Sequence, residues 1–174
     1  MILALFLISA AYPVKLILEF YLTKYYEANS VIFILFSTQV FFMIIKGIYA
    51  NIYKAEKKQK SYFKQLLIVI AFSISANAVF YMASETIEAI AYATLLTAVF
   101  WYVLCSVSVK GLQPCWRELT VLVAALLIFL FTGMHMPCIS GFCIYVCSVI
   151  LLCIIAMKED FLRLLDLLFH SVLK

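Results

Sequence analysis

Charge is what this chain has least of. Only 13% of its 174 residues are Asp, Glu, Lys or Arg, against 67% hydrophobic, and the mean hydropathy is +1.12. A water-soluble domain of this length needs a polar surface that such a composition does not supply, which excludes a soluble enzyme or a soluble binding module. Catalytic material is equally thin. With 4 glycines there is no phosphate-binding glycine loop, neither GxSxG nor HExxH occurs, and His135 and His170 are the only near-neutral acid–base side chains. The chain is therefore not read as an enzyme, and no cofactor is expected. Its 6 cysteines, Cys105, Cys115, Cys138, Cys143, Cys147 and Cys153, fall mostly inside apolar runs without CxxC pairs or partner histidines. They read as small apolar residues, and no metal site is expected.

Long apolar runs are what the chain does have. A helix crossing roughly 30 Å of hydrocarbon takes about 20 residues, and six such runs follow one another: Ile2 to Leu22, Val31 to Asn51, Tyr62 to Ala83, Ile87 to Val109, Leu119 to Met134 and Ile139 to Met157. The expected fold is an all-α integral membrane protein, a six-helix transmembrane bundle over residues 1–157. Pro13 frees a backbone carbonyl in the first run and predicts a kink there. Ser84, Glu85 and Thr86 alone separate the third and fourth runs, which predicts a tight antiparallel hairpin. The opening Met1-Ile2-Leu3-Ala4-Leu5-Phe6 carries no basic leader and its run is span-length, so it reads as a retained helix rather than a cleaved signal.

The formal net charge of +4 does not point to nucleic acid, because the basic residues cluster beside apolar spans. Lys54, Lys57, Lys58, Lys60, Lys64, Lys110, Arg117, Lys158, Arg163 and Lys174 fall on one side of the predicted topology, and Lys24 alone on the other. That asymmetry places both termini in the cytoplasm. From Lys158 to Lys174, Asp160, Arg163, Asp166, His170 and Lys174 recur at steps of three or four among leucines and phenylalanine, which predicts an amphipathic C-terminal helix at the interface over residues 158–174.

Polar residues inside spans cost about 2.5 to 3.5 kcal/mol each when charged and central, so each calls for an account. Lys15 and Glu19 are spaced i, i+4 and partly neutralise each other, whereas Lys46 has no partner in its own helix. Two readings of Lys46 stand: its stem carries the ammonium to the interface, or it lines a water-filled cavity that attracts an anion. Gln39, Ser73, Ser75 and Asn77 would line the same space, although Asn77 equally suits an interhelical hydrogen bond. The candidate substrate or ion pathway is thus Lys15, Glu19, Gln39, Lys46 and Asn77.

Three stretches carry a family likeness: Pro13-Val14-Lys15-Leu16-Ile17-Leu18-Glu19-Phe20 followed by Lys24-Tyr25-Tyr26-Glu27-Ala28; Ile48-Tyr49-Ala50-Asn51-Ile52-Tyr53-Lys54-Ala55-Glu56-Lys57-Lys58-Gln59-Lys60; and Ala89-Ile90-Ala91-Tyr92-Ala93-Thr94-Leu95-Leu96-Thr97, preceded by Asn77. Together they resemble the carboxy-terminal portion of Wzx-type polysaccharide flippases, the O-antigen and capsule unit transporters of the multidrug/oligosaccharidyl-lipid/polysaccharide exporter superfamily. Ala89 stands where that family's signature has glycine. The resemblance covers roughly Met1 to Val109. It implies the second lobe plus two extra helices of a MATE-like flippase, residing in the bacterial inner membrane and moving undecaprenyl-pyrophosphate-linked sugar units outward by alternating access. Its partners would be the bilayer, the lipid-linked oligosaccharide, a missing amino-terminal lobe and polysaccharide assembly proteins. Lys15 and Lys46 would then offset the pyrophosphate charge, with Glu19 tuning Lys15 or coupling an ion.

A whole transporter of that kind has about twelve to fourteen helices in two lobes, so the chain reads as a fragment, a truncated gene product or part of a split transporter. The alternative is a small non-transporting membrane scaffold or anchor that holds a partner through its basic loop and tail. In either case an even span count puts the two ends on one side. Tags fused to each terminus should both report the cytoplasm in a protease-accessibility assay on spheroplasts, and opposite compartments would overturn the topology.

Overall fold

The computed structural model describes residues 2–21, 28–109 and 116–156, and within them the chain builds six helices. These are α1 (Ile2–Phe20), α2 (Asn29–Ala55), α3 (Gln59–Ser84), α4 (Ile87–Ser108), α5 (Trp116–His135) and α6 (Cys138–Ala156). All six are long and apolar enough to cross a membrane, which makes the chain a multi-pass membrane protein. Helices are the form such runs take because each satisfies its own backbone hydrogen bonds where no water is at hand. The amphipathic helix expected at Lys158 to Lys174 lies outside the described residues, as do Lys24 and Lys110.

Two spans depart from regular α-helix. In α1 the residues before Pro13 tighten into a 3₁₀ turn, Ile8–Ala10, where the Ala11 amide reaches both Ile8 O and Ser9 O. The sequence predicts a kink at Pro13; the structure has a local change of winding just before it, which takes up the proline's missing N–H and bulky ring. In α2 the winding loosens instead, into a π turn at Ile45–Tyr49, and the Asn51 Nδ2 donates to Gly47 O at 2.9 Å. The π turn has no proline and no charge pattern to announce it.

The connections follow from their residues. After α2, Lys57 takes a left-handed φ of 57° and the Lys58 amide returns to Tyr53 O at 2.9 Å, closing a three-residue elbow. Between α3 and α4, Glu85 is left-handed at φ 51° and Thr86 caps α4 by accepting the Ala89 amide at 3.3 Å. Ser84, Glu85 and Thr86 therefore form the tight hairpin their sequence implied. At the same end Ser30 on α2 donates to the Glu88 carboxylate on α4.

Helix α2 is the centre of the bundle, packed by α1, α4 and α5, while α6 closes on α5 and α1 and α3 leans on α4. Ala89, Ala91, Ala93, Thr97 and Ala98 are all buried on α4, so small side chains form its inner face and let it lie close to its neighbours. Phe72 and Phe100 stack at 4.2 Å where α3 meets α4. At the lysine-bearing end, Tyr53 OH donates to Gln65 Oε1 at 2.8 Å and Gln65 Nε2 to Ser108 Oγ at 2.6 Å, tying α2, α3 and α4 together. Cys105, Cys138 and Cys153 are buried as small apolar residues; Cys143 and Cys147 face outward on α6.

The α5–α6 hairpin turns at Pro137, and two glycines mark close approaches beside it. A Cβ at Gly141 would sit 2.9 Å from Thr132 O, and one at Gly133 would enter the Phe33 ring, 2.6 Å from its Cγ. Gly133→Ala should lower the detergent-solubilised melting stability by about 1–3 kcal/mol through overpacking. Gly47, whose Cβ would meet nothing within 4 Å, should accept alanine with no loss in the same thermal assay, and equal melting of the two variants would discard this packing account.

Candidate functional site

In the part of α1 after its 3₁₀ turn the buried stripe is Ala11, Tyr12, Lys15 and Leu18, spaced as one helical face, and Lys15 belongs to it with only 1% of its surface exposed. Helical phase alone thus carries a lysine into the packed interior. Its Nζ donates to Gly133 O at 2.8 Å and to Met136 O at 2.6 Å, the carbonyls at the end of α5, while Glu19 Oε1 stands 3.9 Å away. The ammonium also lies 5.9 Å from the centre of the Phe33 ring. Carbonyls at a helix C-terminus lack intrahelical partners and sit at the negative end of the helix dipole, so a cation is the fitting cap. The carbonyls are its near partners and the carboxylate a distant one.

The same junction holds several other polar groups. Asn29, buried at the start of α2, donates from Nδ2 to Gly133 O at 3.2 Å, and its Oδ1 has no hydrogen-bond partner among the described residues. Tyr12 OH and Thr132 Oγ1 share a 2.5 Å hydrogen bond, and Cys138 Sγ donates to Tyr12 O at 2.9 Å. Two turns of helix earlier on the buried face of α1, Tyr145 OH reaches Leu5 O at 2.7 Å. Around them Tyr12, Phe33, Phe129 and Tyr145 pack at centroid distances of 4.9–6.0 Å. The chemistry available here is hydrogen bonding that joins α1, α2, α5 and α6.

Gln39 and Lys46 are placed differently. Both are exposed on α2, and a separation of seven residues puts them on one face. Among the described residues no carboxylate lies within ion-pair distance of Lys46. The stretch of α2 that carries it, Met43, Ile44, Gly47 and Ile48, forms one wall of a groove of about 380 Å³ whose other wall is Leu3, Ala4 and Leu7 of α1. The π turn lies in that wall, so the residues around Lys46 are re-aimed relative to a regular helix.

Asn77 stands on α3, half-buried, with its Nδ2 on Ser73 O of its own helix at 2.9 Å and its Oδ1 without a hydrogen-bond partner among the described residues. The five pathway residues therefore fall into three places: Lys15 with Glu19, Gln39 with Lys46, and Asn77 apart. Lys15 lies five residues from the end of α1 and Lys46 nine from the far end of α2, which separates them by roughly 20 Å along the bundle at 1.5 Å per residue. Sequence reasoning passed over Asn29, Thr132, Gly133 and Asn51. The signal for the first three was a polar residue opening one span and a Thr-Gly pair closing another, and pairing the two needed the fold.

Outside the spans, Glu56 Oε2 meets Lys58 Nζ at 2.8 Å, and that carboxylate holds the Lys58 ammonium above lysine's ordinary range. His135, at the end of α5, is exposed with its ring 5.3 Å from Phe131. Among the described residues no three His, Cys, Asp or Glu side chains gather as metal ligands would.

The two lysines make opposite predictions. Lys15→Met leaves Gly133 O and Met136 O without their shared donor and should destabilise the detergent-solubilised protein by about 1–3 kcal/mol. Lys46→Met, which removes no hydrogen bond or ion pair among the described residues, should leave thermal stability unchanged; equal effects of the two would overturn the distinction. No family model, no curated protein and no solved structure matches this chain.

Proposed function

We propose that this chain is part of a lipid-linked oligosaccharide flippase that carries undecaprenyl-pyrophosphate-linked repeat units across the bacterial inner membrane, with both termini in the cytoplasm. The observation that carries the reading is Lys46, an exposed ammonium on an apolar face, with Gln39 seven residues before it and the α1/α2 groove alongside. A membrane-embedded charge left without a counter-ion is suited to an anionic ligand, because the low surrounding dielectric strengthens the attraction and the alternative is an unpaired charge. A pyrophosphate offers several acceptor oxygens to the three donors of an ammonium and to a carboxamide N–H. The apolar groove suits the prenyl chain that the pyrophosphate carries.

Lys15 has a different part in this scheme. Its donors are engaged by Gly133 and Met136, so it braces the bundle at the end of α1 away from the groove. A second lobe, facing α1 and α2, would complete the cavity around Lys46.

In the complete transporter, Lys46→Ala should lower polymer export roughly tenfold, the loss of one charge-assisted hydrogen bond of about 1.5 kcal/mol, with membrane insertion unchanged on a quantitative blot. Export at the parental level with normal insertion would remove Lys46 from the pathway.

A further inference from the structure

The elbow joining α2 to α3 holds a second concentration of charge. Lys54, Lys57, Lys58, Lys60 and Lys64 are all exposed there. Glu56 is the one carboxylate among them and is occupied by Lys58 at 2.8 Å. Among the described residues the other four ammonium groups have no carboxylate within ion-pair distance. Like charges held this close repel one another, so a fixed elbow of this kind gains from an anionic surface.

The elbow is fixed on both sides. Backbone bonds Glu56 N to Ile52 O at 2.8 Å and Lys58 N to Tyr53 O at 2.9 Å close it, and Tyr53 and Tyr62 lie under it with ring centres 5.2 Å apart. Tyr53 is in turn anchored through Gln65 to Ser108. Lys57 occupies a left-handed position, φ 57°, that a glycine adopts more readily. A lysine held there places its charge at the tip of the turn. Apolar residues of the two spans, Ile52 and Tyr53 before the elbow and Tyr62 and Phe63 after it, lie within two turns of helix, which sets the lysines at the depth where a span leaves hydrocarbon and meets phosphates.

We propose that this elbow is a binding surface for anionic phospholipid headgroups, with Lys54, Lys57, Lys60 and Lys64 donating to their phosphate oxygens. The assignment uses no residue of the α1/α2 groove and stands independently of the flippase reading. Phosphate oxygens also exist on free phosphate, but only the lipid brings acyl chains to the apolar flank directly beneath the lysines.

The test uses the full chain in nanodiscs made of phosphatidylcholine with and without phosphatidylglycerol, with lipid retained on release read by native mass spectrometry. Phosphatidylglycerol should be retained in preference to phosphatidylcholine. Each of Lys54→Gln, Lys60→Gln and Lys64→Gln should weaken that preference about fivefold, the ratio equivalent to the roughly 1 kcal/mol a basic residue contributes near an anionic surface. Lys57→Gly should weaken it equally while the melting temperature holds or rises, which separates lost charge from lost fold. Glu56→Gln, by releasing Lys58, should strengthen it. Equal retention of the two lipids by the parent chain, indifference to these substitutions, or displacement of the phospholipid by inorganic phosphate would each overturn the proposal.

Discussion

The bundle depends on the hydrogen bonds that the Lys15 ammonium makes to the last carbonyls of α5. Helix ends leave carbonyls without intrahelical partners, and in this fold the Gly133 carbonyl near the end of α5 is buried under α1 and α2. A lysine on α1 and an asparagine on α2 supply the donors. Charge that would be expensive alone in hydrocarbon is thereby matched to a site that is itself costly without it. The close approach of α6 to α5 at Gly141, the seat of Phe33 against Gly133, and the Tyr12–Thr132 hydrogen bond all require this junction to hold its shape.

With α5 and α6 locked to α1, the remaining organisation falls to α2. Its buried side, including Phe33, Ser37, Val40, Phe41 and Ile44, packs inward. Its opposite side keeps Gln39 and Lys46 clear of the bundle. A π turn in a spanning helix exposes a carbonyl and rotates the residues beyond it, and here Asn51 takes up Gly47 O. The proposed ligand wall is thus built on the most heavily braced helix of the bundle, in keeping with a charge that has to be held in place against a mobile lipid substrate.

The two basic features serve different ends of the molecule. Lys15 is enclosed near one end and satisfies backbone; the elbow lysines project at the other, where Lys58 meets Glu56 and the rest have no carboxylate within ion-pair distance among the described residues. Lys46 lies between them, on an apolar face and unpaired among the described residues. Three lysine environments follow from one side-chain chemistry, separated by burial and by whether carbonyl, carboxylate or no partner stands within reach.

How much of this was legible beforehand follows from the range over which each signal acts. Hydropathy, the lysine-rich stretch and Thr86 before its helix act over one helix turn to one span, so the sequence by itself determined six helices, their limits to within a few residues and the tight hairpin at Glu85. It also marked Pro13 as an irregular point. The lysines were legible only as exceptions to hydropathy. Lys15 and Lys46 look alike as isolated charges in apolar runs, and which of them is enclosed turns on partners 118 and 121 residues away, supplied by the turn between α5 and α6. The π turn at Ile45–Tyr49 likewise arises from packing on both sides of α2 and leaves no local pattern. Only the tertiary structure decided these points, because a buried ammonium is assigned by which carbonyls the fold brings to it, and that is a property of helices meeting in space.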